Sequence, residues 1–475
     1  MAPDEKPDFL VLGDTIEAWL TAACLVRSLG KSGRSVAILP VLRERPSPPV
    51  AVLPPSVANL HALLGFDERD MLRFCKGSFR LGDRFEGWRG EGSSFVLSYG
   101  SPAEFPGEGA LHQQGRRSGV LEQDGAYDTF SLGAVLGRLD RFAHPDPVAN
   151  QQAGYFTYGY HLDADKYRDY LKRAALHYGV RKEEGDPMSI LAREGELAAG
   201  VIVDATGGAS ISDVLPRDGW RADADLPFDQ FALMDEPATS LSLGRVSAGN
   251  DKILFDVAAA ETGCRAALFN ASGVPENLVG AGEVDVFGIR SGHRTPWVGK
   301  CVSIGASAFG LLPFGDVEMS LIVRGVETLL ELLPDEGRLA VAGQEYNRRM
   351  MMAYHRTRDV QVMAFALAAR PWRTAEAAMS DQNRIRLEQF RSRGRVVTFD
   401  EECLAPAEWV SFMIGLGVVP ERTDPVAESV AQEVAAQRLR SVSAHIAALA
   451  ERYPSQRDYL AEAGVIGADA FGGGM

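Results

Sequence analysis

Three segments of this 475-residue chain end an apolar run in a tight turn, a place where backbone amides can meet a ligand. The first is VLGDTIEA, in which Gly13, Thr15 and Ala18 hold the positions of a Gly-x-Gly-x-x-Gly window. That window brings the backbone close to a pyrophosphate at a helix start, where unpaired N–H groups and the helix dipole favour an anion. Only its first position is glycine, alanine is tolerated at the third, and Pro40 stands where a dinucleotide fold often carries an acid. Taken alone, the fragment reads equally well as an ordinary strand-to-helix turn. The second segment is VIVDATGG (201–208), where Asp204, Thr206 and Gly207 close a strand. The third is CVSIGASAFGLLPFGDVE (301–318), in which a strand runs into Gly305, and Pro313 and Gly315 precede a helix starting near Asp316. Amides at such a start can face the edge of a flat ring or hold an anion. Three such turns in this order are much less expected by chance than any one.

The turns need elements to hold them, and the apolar periodicity supplies these. FLVLG (9–13) reads as a short strand, and TIEAWLTAACLVRSLG repeats Ile16, Leu20 and Ala23 at helical spacing before Gly30 stops it. With SVAIL (35–39) as a second strand, this is the βαβ unit of a nucleotide-binding sheet. The proline-rich stretch 40–55 is expected to be an extended loop, 56–64 a helix, and SFRLGDRFEGW (78–88) one strand. Residues 100–127 show no sustained period and read as a surface loop or an active-site cover. Asp163 to Tyr178 forms an amphipathic helix, 229–290 alternates as a second, antiparallel sheet, and 297–308 is a strand ending at Gly305. Helices prevail from Val317 onward. The last is a long one capped by Asp424 with Pro425 at its first position, and Val426, Val430, Val434, Leu439, Val442, Ile446 and Leu449 form its apolar face.

Composition narrows the function classes. Charged residues make up 24% and hydrophobic residues 46%, the profile of a globular chain with ample core material. The net charge of −15 repels phosphate backbones, which argues against nucleic-acid binding. The five cysteines are scattered without a CxxC pair, the eight histidines lack metal spacing, and no nucleophile elbow occurs. The N-terminal MAPDEKPDF lacks an apolar signal core, so a reduced, cytoplasmic protein with no membrane partner is expected.

Several longer stretches carry a family likeness: LLGFDERDMLRFCKGSFRLGDRFEGW, YGYHLDADKYRDYL, VIVDATGG, RTPWVGKCVSIGASA, LIVRGVETLLELLPD, EYNRRMMMAYHRTRD and AEWVSFMIGLGVVP. With them the chain resembles the flavin-dependent tryptophan halogenases of the FAD monooxygenase superfamily, over roughly residues 10–420. The resemblance implies an α/β fold: an FAD-binding Rossmann-like domain with a β-sheet substrate domain and C-terminal helices. The expected organisation is a discontinuous FAD domain (1–99, 155–225 and 290–330), a substrate layer with loops (100–154 and 226–289), and a helical region (331–475). FAD is the implied cofactor. Gly13, Thr15, Ala18, Thr206, Gly207, Gly305, Pro313 and Gly315 are the implied binding positions. Arg43, with Arg45, is a candidate contact to adenosine or phosphate, or simply a solvated arginine.

Departures from the family shape the functional expectation. Family halogenases pass hypochlorous acid to the indole along a lysine, and the matching position here is Arg80. Arginine keeps its proton at physiological pH and cannot form a chloramine as lysine can. The family's nearby glutamate aligns with Gly315, or with Asp316 after a slip of one residue, and GNDKILFDV stands where a Trp-x-Trp-x-Ile-Pro motif is expected. The expectation is therefore FAD-dependent hydroxylation of an electron-rich aromatic. A tryptophan side chain in a protein or peptide, oxidised during tryptophylquinone cofactor maturation, is the preferred substrate, with Arg80 and Asp316 as catalytic candidates. The alternatives are a tryptophan halogenase with an altered relay and a non-catalytic flavin-fold binding protein. Reduced flavin would come from a separate reductase, or hydride directly from NAD(P)H. Blander roles stand beside these: Arg80 pairs with Asp83 or Glu86, His161 is a satisfied core histidine, and Met350–Met352 fill the core.

Overall fold

The computed structural model describes the chain apart from residues 1–5, 44–45, 105–109, 147–152, 192–198, 209–214, 224–225, 236–239, 272–284, 334–337, 373–377 and 467–475. It divides into two compact units. The first comprises Met1–Cys75, Leu162–Ala224 and Ile289–His355; the second comprises Lys76–His161, Asp225–Gly288 and Arg356–Met475.

In the first unit a six-stranded sheet runs in the order Arg181–Lys182, Val36–Leu39, Phe9–Leu12, Val201–Asp204, Cys301–Ser303, Trp297–Val298. All neighbours are parallel except the last pair. The inner strands FLVL, VAIL and VIVD are buried at every position, as a parallel sheet covered on both faces requires. Register sets Leu12 beside Leu39 and Asp204, and Asp204 beside Ser303. Three strands distant in sequence therefore reach their carboxyl ends side by side. The helix Ile16–Leu29 follows the first strand at once and buries Trp19, whose Nε1 donates to Asp14 Oδ1 at 2.7 Å. The expected loop 40–55 contains a short strand, Val50–Leu53, because the apolar VAVL between its prolines is buried throughout. The expected strand 297–308 is instead a hairpin, Trp297–Val298 against Cys301–Ser303, turning at Gly299 with φ +59°.

The second unit holds a seven-stranded sheet, ordered Val286–Gly288, Gln230–Asp235, Gly263–Phe269, Lys252–Ala258, Leu243–Ala248, Gly82–Glu86, Ser94–Ser98. It is antiparallel except where Gly82–Glu86 joins Leu243–Ala248. The single strand expected over 78–88 is two, Ser78–Arg80 and Gly82–Glu86, in different sheets. Gly82 makes the break: its φ is +144°, and a Cβ there would collide with the Leu97 carbonyl.

The aperiodic 100–127 stretch contains a helix, Leu111–Arg117, that buries His112, Gln113 and Gln114. His112 Nε2 bonds Gly394 O at 2.7 Å and Gln113 Nε2 donates to Arg393 O at 2.6 Å. A helix anchored by amide and imidazole groups leaves no hydrophobic period to detect. The long helix after Asp424 is broken into Pro425–Glu428 and Gln432–Ala450. Asp424 caps the first piece as expected, but the break shifts the phase: Val426 and Val434 are exposed, while Leu439 and Ile446 are buried. Among the described residues no helix is long and apolar enough to cross a membrane, and no His/Cys/Asp/Glu group could hold a metal.

Candidate dinucleotide site

In the first unit the carboxyl ends of Phe9–Leu12, Val201–Asp204 and Cys301–Ser303 converge, the place where open α/β sheets bind ligands. Gly13 leaves the first strand at φ +130°; a Cβ there would collide with the Ala205 carbonyl oxygen and lie 3.1 Å from the Ala18 Cβ. The close approach between the first and second turns therefore demands glycine at 13, and alanine at 18 fits beside it. Thr15 is the N-cap of the following helix. Its hydroxyl accepts from Ala18 N–H at 3.1 Å and donates to Ala205 O at 2.8 Å, binding helix start to second turn.

Asp204 joins the second and third turns. Its Oδ1 accepts from Thr206 N–H at 3.2 Å, Thr206 Oγ1 at 2.8 Å and Ser307 Oγ at 2.9 Å, while Ser307 Oγ in turn accepts from Gly208 N–H at 3.2 Å. Gly207 and Gly305 carry left-handed φ values of +72° and +61°, which keep both turns tight and free of side chains. Ser307 was not singled out from sequence, since a serine two residues after a glycine has no signal of its own.

Arg43, Glu318 and Glu17 border these turns. Arg43 lies against Gly207, where a Cβ would meet its Nε at 3.0 Å. It donates to Ser47 Oγ at 2.8 Å and pairs with Glu318 Oε1 at 3.4 Å. Glu318 belongs to the helix Val317–Glu331, whose N-cap position is Asp316, preceded by Gly315 at φ +69° and by Pro313. Glu17, in the first turn of Ile16–Leu29, is only 3% exposed, and its Cγ lies 3.6 Å from where a Cβ on Gly305 would stand. Its Oε1 and the Nε of Arg43 are buried without a hydrogen-bond partner. Burial pushes the Glu17 carboxyl above its ordinary range, Arg43 pulls it down, and Glu318 pushes it further up. Burial disfavours the Arg43 charge, but Glu318 and Glu17 outweigh it and hold the proton more firmly. Glu17 escapes a sequence reading because acids are common in the first turn of any helix. Arg45 lies outside the described residues.

Gly13, Thr15, Ala18, Thr206, Gly207, Gly305 and Arg43 thus form one constellation, with Pro313, Gly315 and Asp316 leading into the helix that supplies Glu318. The glycine turns and Arg43 suit a dinucleotide. Glu17, beside them in the first turn of Ile16–Leu29, does not, since its carboxylate offers an anion where an anion would bind.

Arg80 belongs to the second unit and is 1% exposed. Its Nη1 and Nη2 pair with both Asp83 oxygens at 2.8 and 2.7 Å, Nη1 also donates to Gly82 O at 2.8 Å, and Nε donates to Tyr99 Oη at 2.8 Å. Of the two expected partners it takes Asp83, while Glu86 pairs with Arg84. His161 is fully buried with Nδ1 at 3.2 Å from Leu241 O, and burial, then the Arg80 charge, pushes its pKa down to about 3. It is a neutral core histidine donating through Nδ1. Met350 is buried and its two neighbours partly so.

Comparison with known proteins adds the remaining finding. The family described as tryptophan halogenase matches residues 8–215 and 277–432. Tryptophan 7-halogenase RebH of Lentzea aerocolonigenes is 24% identical, the match covering 88% of this chain and 90% of RebH. The structure of BrvH, a flavin-dependent halogenase from Brevundimonas sp. BAL3, superposes with a TM-score of 0.86 at 22% identity, covering 97% of this chain and 99% of that one. Xcc4156, a flavin-dependent halogenase from Xanthomonas campestris, gives 0.83 at 22% identity, with coverage of 96% and 98%.

Proposed function

The chain belongs to the tryptophan halogenase family, and on that premise we propose that it is an FAD-dependent enzyme that halogenates an indole ring of tryptophan type. The observation that carries this is the family match over both segments that build the converging turns, 8–215 and 277–432. FAD is the cofactor of the family. The start of helix Ile16–Leu29 and Arg43 would hold its pyrophosphate, and the bare turns at Gly207 and Gly305 would admit its backbone-facing edge. When bound and reduced, FAD supplies the activation of oxygen needed to oxidise a halide. A separate flavin reductase is the partner that would deliver it reduced.

A second reading, hydroxylation of a tryptophan side chain, is favoured by one feature. Arg80 stands where the family lysine is expected, keeps its charge, and has its donors committed to Asp83, Gly82 and Tyr99. Such a group cannot carry an oxidised halogen as a neutral amine nitrogen can. The substrate of this reading is a tryptophan in a protein or peptide, and the acidic surface, net −15, calls for a basic partner face.

Mass spectrometry of free tryptophan and of a tryptophan peptide separates the readings, after incubation with FAD, a flavin reductase, NADH, oxygen and chloride or bromide. A halogen isotope pattern supports halogenation. Added oxygen without halogen supports hydroxylation. Unmodified substrates of both kinds, with FAD bound, would overturn both.

A further inference from the structure

Arg43 is shared by two carboxylates. Glu17 and Glu318 both act on its one guanidinium, so these three groups together are net negative when all are ionised. Glu17 is nine-tenths buried or more, is confined against the third turn, and keeps one oxygen without a partner. Its own backbone N–H and the Thr15 hydroxyl favour its carboxylate form. These are groups at the helix start, where a dinucleotide's phosphates otherwise find their donors. The side chain thus sets an anion of the protein's own in the first turn of the helix. Arg43 faces both: its Nε is buried and unpartnered beside Gly207, and its Nη2 reaches Glu318, whose side chain is 42% exposed and able to swing out.

We infer that Glu17 is an internal competitor of the FAD pyrophosphate, so that FAD binding is coupled to uptake of one proton by Glu17 and to release of Arg43 from Glu318 to the phosphates. This rests on FAD as the cofactor. The charged groups facing Glu17 are Arg43 from the segment after the second strand and Glu318 from helix Val317–Glu331; Thr15 contributes only its hydroxyl. A pyrophosphate brought beside a buried carboxylate disfavours its charge further, so Glu17 binds its proton more tightly in the complex than in the free protein. The linkage sign follows: affinity is highest and flat below the free-protein pKa of Glu17. It falls as pH rises toward the higher pKa of the complex, by up to about tenfold per pH unit, and is flat again above it. The consequence is a cofactor held less tightly as pH rises.

The test is FAD binding by quenching of flavin fluorescence from about pH 5.5 to about pH 9, with calorimetry in buffers of different ionisation enthalpy. The wild type should lose affinity with rising pH and take up close to one proton in the falling region. Glu17→Gln should bind FAD on the order of tenfold more tightly at high pH and show a flat profile. Glu17→Ala, which removes the side chain altogether, should do the same if glutamine packs poorly. A pH-independent wild-type affinity, or variants that bind no tighter than wild type, overturns the inference and leaves FAD as the cofactor. Failure of wild type and both variants to bind FAD at any pH, with unfolding transitions intact, overturns the cofactor assignment together with it.

Discussion

Replacing Asp83 by alanine strands a buried charge. The Arg80 guanidinium stays protonated, and its side chain is 1% exposed against 12% for Asp83. In the native protein two charge-assisted bonds of 2.8 and 2.7 Å join them, while Gly82 O and Tyr99 Oη hold the rest of the fork. Removing one member of a buried pair costs about 3–5 kcal/mol. Because two neutral acceptors remain, the lower end, about 3 kcal/mol, is expected. At roughly 2–4 °C per kcal/mol for a unit of this size, the thermal transition followed by circular dichroism should fall by about 6–12 °C. Removing both charges together, Arg80→Met with Asp83→Leu, should recover most of that loss, because the penalty belongs to the unpaired ion and not to the absence of the pair. Gly244→Ala attacks the same pair sterically, since its Cβ would collide with Asp83 Oδ1 and lie 3.2 Å from Arg80 Nη1. A change below about 1 kcal/mol in Asp83→Ala, or a double variant as unstable as the single, would refute the view of Arg80 as a buried, pair-dependent cation.

Two further expectations concern the turns and the core. Gly13→Ala forces a side chain into φ +130° and against Ala205 O; it should cost at least about 1–3 kcal/mol of stability and abolish FAD binding in a fluorescence titration. His161 titrates near 6.5 when unfolded and near 3 when folded, so the unfolded chain binds the extra proton between those values. Its contribution is complete above about pH 6.5 and is lost as pH falls toward 3, by several kcal/mol at most. Urea denaturation at pH 7 and near pH 4.5 should show a smaller acid-induced loss in His161→Phe than in wild type; equal losses would remove His161 from the acid response.

The sequence by itself determined the parts of this protein that rest on local rules. FLVL and VAIL are wholly apolar and VIVD is apolar up to Asp204, as buried strands require; Asp424 caps a helix by a carboxylate bond to a nearby N–H, and glycines at 13, 207 and 305 mark turns that side chains would block. The longer stretches spread over roughly residues 10–420 carried the family likeness, which the family match bears out. The preference for hydroxylation of a peptidyl tryptophan drew on missing residues, and the family match backs halogenation more directly.

What only the tertiary structure decided are the pairings between distant residues. Parallel register set Leu12, Asp204 and Ser303 side by side, and from that followed Asp204's bond to Ser307, 103 residues away. Arg80 could be assigned to Asp83 because Gly82 breaks the strand and folds the carboxylate back onto the guanidinium. Glu17 is unremarkable in sequence, an acid in a first turn. It becomes a competitor for phosphate only because the third turn packs against it, and burial turns a solvated charge into an energetic constraint.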